Sequence, residues 1–149
     1  MEKTMGVTQK KKILFLCTDN SARSQMAEGL VRHFREEDLE SYSAGSDPKG
    51  VHPKAVQVMQ EISIDITGQH SKHLNDIKNI EFDYVITLCE HAEKNCPLFF
   101  TKGKRIHKAF SDPAAVKGKD NDITNSFRIV RDQLKEYILD FEENEDDIA

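Results

Sequence analysis

Residues 12–34 read KILFLCTDNSARSQMAEGLVRHF, and the fold turns on how they are divided. Lys12 to Cys17 is a short apolar run with the length and composition of a buried strand. From Arg23 to about Glu36 the apolar residues Met26, Ala27, Leu30, Val31 and Phe34 recur at helical spacing. The period changes from two to 3.6 across five polar or small residues, Thr18 to Ala22, which makes them a strand-to-helix loop.

A loop in that position presents unpaired backbone N–H groups, and the helix dipole adds partial positive charge, so it cradles an anion. Arg23 adds a planar, permanently charged fork that suits a tetrahedral oxyanion. The same field acts on Cys17. Thiols beside a cation at a helix N-terminus titrate at roughly 3.5–7.5 instead of about 8.5, so Cys17 is expected to be a thiolate nucleophile. Thr18, Asp19, Asn20, Ser21, Ala22, Arg23 and Ser24 form the expected oxyanion loop, with Asn20 suited to a left-handed turn and Ser21 and Ser24 able to donate to sulfur or anion. A cysteine and an arginine at this spacing also occur by chance, and a buried inert cysteine often ends a strand. The strand-loop-helix context and the flanking Asn20, Ser21 and Ser24 favour the chemical reading.

Working outward, Leu39 to Ala44 alternates as a second strand before the loop GSDPKG, and Pro53 opens a helix with Ala55, Val56 and Met59 on one face. Phe82 to Leu88 reads as a third strand, Arg105 to Phe110 as a weaker fourth, and a long last helix starts near Ile123 to Thr124. Its stripe is Phe127, Val130, Leu134, Tyr137, Ile138 and Phe141. Alternating strands and helices imply parallel pairing and a three-layer α/β/α domain, with ligands beyond the carboxyl ends of the strands. Cys17, Cys89 and Asp112 all fall at such ends.

The 149 residues suffice for one domain, with flexible ends expected at residues 1–11 and 143–149. Hydrophobic residues make up 38% and charged residues 32%, and no apolar run approaches the ~20 residues of a membrane span. The N-terminal residues lack the apolar core of a signal peptide. Three cysteines, an odd number, speak for a reducing compartment, hence the cytoplasm. A net charge of −5 makes nucleic acid and anionic membranes poor partners.

Cys89 and Cys96 bracket the polar stretch EHAEKN. A metal site with His91 fails on spacing and lacks a fourth ligand, so no metal is expected. Two packed core cysteines are the plain alternative, but the polar stretch puts Cys96 near the surface and favours redox chemistry. Asp112 precedes Pro113, which holds it extended at a strand end, as in many turns. His33, His52, His70, His73, His91 and His107 show no pairing or spacing that builds a site.

CTDNSARSQMAEG, YSAG after the second strand, VITLC at the third and DPA after the fourth closely resemble the thioredoxin-coupled arsenate reductases built on the low-molecular-weight tyrosine phosphatase fold. The resemblance runs from about Lys12 to Tyr137 and implies a four-stranded parallel sheet flanked by helices. It implies that Cys17 attacks arsenate, Cys89 attacks the thiol–arsenate adduct and releases arsenite, and Cys96 takes over the disulfide for thioredoxin to reduce. Asp112 is then the general acid for the leaving oxygen. Thioredoxin is the external reductant, no cofactor is tightly bound, and the protein is expected to be a monomer.

Several positions depart from that pattern. Ala22 stands where many relatives have a fourth cysteine. Asp19 stands where glycine is usual and is expected to face solvent. A cation site matching Asn20, Glu28 and Ser43 has Lys72 in place of its acid. Gln25, where the phosphatases usually have proline, and Ala114-Ala115-Val116 after Asp112-Pro113, where they carry aromatic residues, speak against a tyrosine phosphatase. A non-catalytic oxyanion-binding or thiol-sensing module is the further alternative. Were Cys89 to Cys96 helical, their Cα atoms would lie roughly 10.5 Å apart along the axis, whereas a disulfide needs them within about 7 Å.

Overall fold

The computed structural model describes residues 10–94 and 103–142. Its core is a four-stranded sheet in the order β2-β1-β3-β4, built from β1 (Lys11–Leu16), β2 (Leu39–Ala44), β3 (Tyr84–Thr87) and β4 (Lys104–His107). All pairings are parallel, with Phe15 opposite Ser43 on one side and Ile86 on the other. Helices α1 (Arg23–Phe34), α2 (Pro53–Gln60) and α3 (Glu90–Lys94) lie in the connections and α4 (Asp120–Asp140) follows β4, with short 3-10 turns at Leu74–Ile77 and Pro113–Ala115.

From Ile13 to Leu16 β1 is apolar without interruption because the sheet is covered on both faces. Ile13 and Phe15 point with Tyr84, Ile86 and Ile106 into the larger cluster, against Met26, Leu30, Val58, Met59, Phe127, Leu134 and Ile138 of α1, α2 and α4. Leu14 and Leu16 point the other way with Val85, onto Leu74, Ile77, Phe82 and Ala92. The three layers are therefore unequal: three full helices cover one face, and a 3-10 turn with the short α3 covers the other. Such a thin second layer leaves the end of β3 close to the loop after β1.

Element ends differ from the sequence reading where polar backbone chemistry sets them. β1 takes in Lys11, assigned above to a flexible end, because its amide bonds Asp38 O and pairing is indifferent to its side chain. α1 stops at Phe34 and not near Glu36, with Arg35 as its cap. α4 starts at Asp120, ahead of Ile123, since the Asp122 carboxylate accepts from the Lys119 amide at 3.0 Å and closes a polar first turn. β3 and β4 are shorter than predicted, although Leu88 N–H still bonds Leu16 O and Phe110 N–H bonds Leu88 O beyond the ladders. Cys96, residues 1–9 and residues 143–149 lie outside the described residues.

Candidate active site

The loop between β1 and α1 is held from outside by its carbonyls. Thr18 O accepts from Asp47 N–H, Asp19 O from Lys49 N–H and the Ser71 hydroxyl, Asn20 O from Gln25 Nε2, and Ser21 O from His52 N–H. In a trans peptide plane the next N–H points the opposite way. The amides of Asp19, Asn20, Ser21 and Ala22 are thereby turned to the concave side, and that of Asp19 favours the charged form of Cys17. Asn20 takes the left-handed conformation expected of it, at φ 47°. Its buried amide group then spans the loop, Nδ2 donating to Ser24 Oγ at 2.8 Å and Oδ1 accepting from Lys72 N–H at 2.8 Å. Ser24, expected as a donor to the anion, thus also accepts from Asn20. Gly45 runs directly beneath, where a Cβ would lie 2.4 Å from Thr18 O and 2.6 Å from Cys17 O. Only glycine fits that approach.

Arg23, 12% exposed, reaches back over the loop from the first turn of α1. Nη1 donates to Phe110 O at 2.9 Å and Nη2 lies 3.8 Å from Asp112 Oδ2, while Nε is buried with no partner among the described residues. The Nη1 edge is anchored, so the Nε–Nη2 edge is the one left to grip an oxyanion side-on. Asp112 is extended (φ −80°, ψ 107°) and caps the 3-10 turn through Ala114 N–H, with its side chain 43% exposed beside Arg23. Asp19 is half-buried, and its charge is felt by the exposed Lys49 ammonium.

Cys89 sits where β3 gives way to α3, and its sulfur meets Cys17. Thr18 Oγ1 lies 3.6 Å from it and the Ala92 N–H donates to it at 3.4 Å. Its interaction with Cys17 foremost, and those with Ala92 and Thr18, hold Cys89 down to about 4 against the opposing effect of burial. Cys17 is pushed above the usual thiol range, first by the hydrogen bond it gives to Cys89 and then by burial, while Arg23 and the Asp19 amide pull it back. The two thiols therefore titrate as a coupled pair, an interaction that the sequence reading, which counted Arg23 and the loop amides, did not include.

Asn20, Glu28, Ser43 and Lys72 do come together behind the loop. Ser43 Oγ donates to Glu28 Oε1 at 2.5 Å, and the Lys72 ammonium donates to Ser43 O at 3.0 Å and lies 4.0 Å from Glu28 Oε1. Lys72 thus touches both the acid and, through its own amide, Asn20. Gln25 is fully buried, with Nε2 donating to Asn20 O and His70 O and Oε1 accepting from Gln69 Nε2 at 2.8 Å. His52 was passed over in the sequence, yet it caps α2, holds Ser21 O and feels the Asp112 charge. Because its grip on the loop runs through a backbone amide, no side-chain pattern could have signalled it.

The family described as Low molecular weight phosphotyrosine protein phosphatase matches residues 12–148. The chain belongs to that family. It is 43% identical over 134 residues to a protein named arsenate reductase from Halalkalibacterium halodurans, covering 90% of this chain and 96% of that one. A solved structure, "An arsenate reductase in the phosphate binding state", superposes with a TM-score of 0.70 at 33% identity, covering 87% of this chain and 94% of the other. The Corynebacterium glutamicum thioredoxin-dependent arsenate reductase matches with a TM-score of 0.61 at 27% identity, over 89% of this chain and 63% of that longer one. The four-stranded parallel α/β architecture is common to the chain and these structures.

Proposed function

We propose that the chain reduces arsenate to arsenite by a relay through Cys17, Cys89 and Cys96, and that thioredoxin reduces the resulting disulfide. One observation carries this: a second thiol, Cys89, stands 3.6 Å from Thr18 Oγ1 at the mouth of the anion cradle and is near enough to Cys17 for the two to shift each other's titration. A phosphatase needs one thiol there, and the second is in place to attack the first. Arsenic bonded to Cys17 leaves with the S–As electron pair when Cys89 attacks the Cys17 sulfur, so As(V) becomes As(III) and a disulfide forms. Phosphorus in the same place has no comparable two-electron exit. Arg23 and the loop amides hold the oxyanion, and Asp112 protonates the departing oxygen. The relatives named arsenate reductase support the same substrate. Arsenate-dependent NADPH oxidation with thioredoxin and thioredoxin reductase, run beside aryl-phosphate hydrolysis, tests the proposal. Steady NADPH loss is expected; hydrolysis without it points to a phosphatase, and binding without either to a sensor.

Two consequences follow for the parts around the relay. Once a Cys89–Cys96 bond forms, Cys89 no longer serves as thiolate acceptor for Ala92 N–H at the start of α3. Hydrogen exchange should show Glu90–Lys94 losing protection on oxidation while β1 and α4 keep theirs. Unchanged protection, with the bond verified by mass spectrometry, would leave only a preformed loop. Lys72, for its part, does the work of a bound monovalent cation, its ammonium offsetting Glu28 behind the loop. Lys72→Asp should make thermal stability and activity respond to potassium over sodium, with the parent indifferent. A parent already sensitive to potassium contradicts this role.

A further inference from the structure

We propose that Gln25 is a positioning residue of the oxyanion cradle: its side-chain amide holds the Asn20 peptide so that the Ser21 N–H faces the anion. This rests on the reaction proposed above and names what keeps its binding loop in shape. Gln25 stands in the first turn of α1, fully buried, and its Nε2 donates to two carbonyls, Asn20 O at 3.1 Å and His70 O at 3.2 Å. Its Oε1 accepts from Gln69 Nε2 at 2.8 Å. Two carbonyls on one side and a donor on the other fix which end of the amide is which.

The outward-facing carbonyls of the loop are not held alike. Thr18 O, Asp19 O and Ser21 O each accept a backbone N–H, from Asp47, Lys49 and His52 respectively. Among the described residues, Asn20 O is held by a side chain alone. It is also the carbonyl in most need of a partner, because Asn20 is left-handed at φ 47° and such a residue persists only where its surroundings over-determine it. Released from Gln25, the Asn20 peptide relaxes toward the ordinary backbone regions, and the Ser21 N–H is no longer aimed at the anion.

The same amide ties the loop to the rest of the molecule. His70 belongs to a segment whose Ser71 hydroxyl donates to Asp19 O at 3.2 Å and whose Lys72 N–H donates to Asn20 Oδ1 at 2.8 Å. Gln25 therefore joins α1, the loop and residues 69–72 at one point. The arrangement has a cost. Gln69 Nε2 is committed to the carbonyl and side-chain oxygens of Gln25, which leaves Gln69 Oε1 buried with no partner among the described residues. Packing alone does not account for an amide pair that strands an oxygen; a loop carbonyl that has to be held does.

Inorganic phosphate, a tetrahedral oxyanion that the relay cannot reduce, is the probe, with its Kd measured by titration calorimetry. The quantity to follow is the Kd of each variant divided by that of the parent at the same pH, which cancels the titration of phosphate, His70 and Asp112. Gln25→Met keeps the bulk and has no donor, so its ratio is expected near ten, the worth of about one hydrogen bond, and flat from about pH 7.5 to about pH 5. Gln25→Glu turns a carboxylate toward Asn20 O and His70 O at neutral pH and, once protonated, an O–H that donates again. Burial raises that titration. Its ratio is expected to exceed ten at about pH 7.5 and to fall to within about threefold of the parent at about pH 5. A residue that served packing alone would not be rescued by a proton. A Gln25→Met ratio near one, or a Gln25→Glu ratio that stays high at the lower pH, overturns the positioning role, with thermal melting to show that the proteins compared are folded. Should Gln25→Met not fold, the Gln25→Glu ratio at the lower pH decides alone. Thioredoxin-coupled arsenate turnover by the parent separates the proposals: turnover intact with a Gln25→Met ratio near one removes the role of Gln25 alone. The expected ratios without turnover remove the relay and leave the positioning role standing.

Discussion

Cys17→Ser should abolish arsenite formation, whereas Cys96→Ser should complete about one turnover and stop at a Cys17–Cys89 disulfide. The difference follows from what each sulfur touches. Cys17 ends β1 at the mouth of the loop, 4% exposed, with the Asp19 amide and Arg23 against it. A serine there has the right shape but no sulfur to join arsenic or to be attacked by Cys89, so even the first turnover is lost. Cys89 is near enough to Cys17 for the two to shift each other's titration, and on the proposed relay it completes the electron transfer without a third thiol. What Cys96→Ser removes is the means of carrying the disulfide outward. Cys17, buried, is a poor target for thioredoxin, so the trapped bond should be reduced slowly. Single-turnover arsenite measurement with mass spectrometry of the disulfide checks both variants. Complete loss of the first turnover in both, to the same extent, refutes the order of the thiols.

The first strand, its loop and α1 were legible because three signals coincide within residues 12–34: the change of period, the polar loop, and a cysteine and arginine at its ends. The second strand was read to its residues, since Leu39–Ala44 alternates and Gly45 closes it. The start of α4 was not, because its first turn is held by Asp122 on the Lys119 amide, and period analysis sees only apolar residues. The 3-10 turns are too short for a period. Within the site, Cys17, Arg23, Asn20 and Asp112 could be named from local context, as could the loop. The coupling of Cys89 to Cys17 could not, because it depends on β1 and β3 pairing in a register that sets Leu16 beside Thr87 and so brings their following residues together. Phe110 O and the clamps on the loop carbonyls are backbone contacts, silent in any side-chain pattern.

Arg23→Lys should lower kcat/KM for arsenate by about 10²–10³, the usual effect of removing an oxyanion donor. Charge is kept, so the loss measures geometry. In the parent the guanidinium divides its edges: Nη1 donates to Phe110 O at 2.9 Å, and buried Nε has no partner among the described residues. One fork thus ties the β4 connection to α1 while presenting a second edge to the anion. An ammonium on a shorter stem has to choose. If it bonds Phe110 O, the oxyanion loses its bidentate partner; if it turns to the oxyanion, the carbonyl loses its donor and Asp112 its cationic neighbour at 3.8 Å. Either way the acid and the nucleophile are no longer held to one frame. Arsenate saturation curves, with inorganic phosphate as competitor, check this: affinity for both oxyanions should weaken together, since they share the cradle. Near-normal saturation in Arg23→Lys would mean that the loop amides alone hold the substrate and that the fork serves only to fix Phe110.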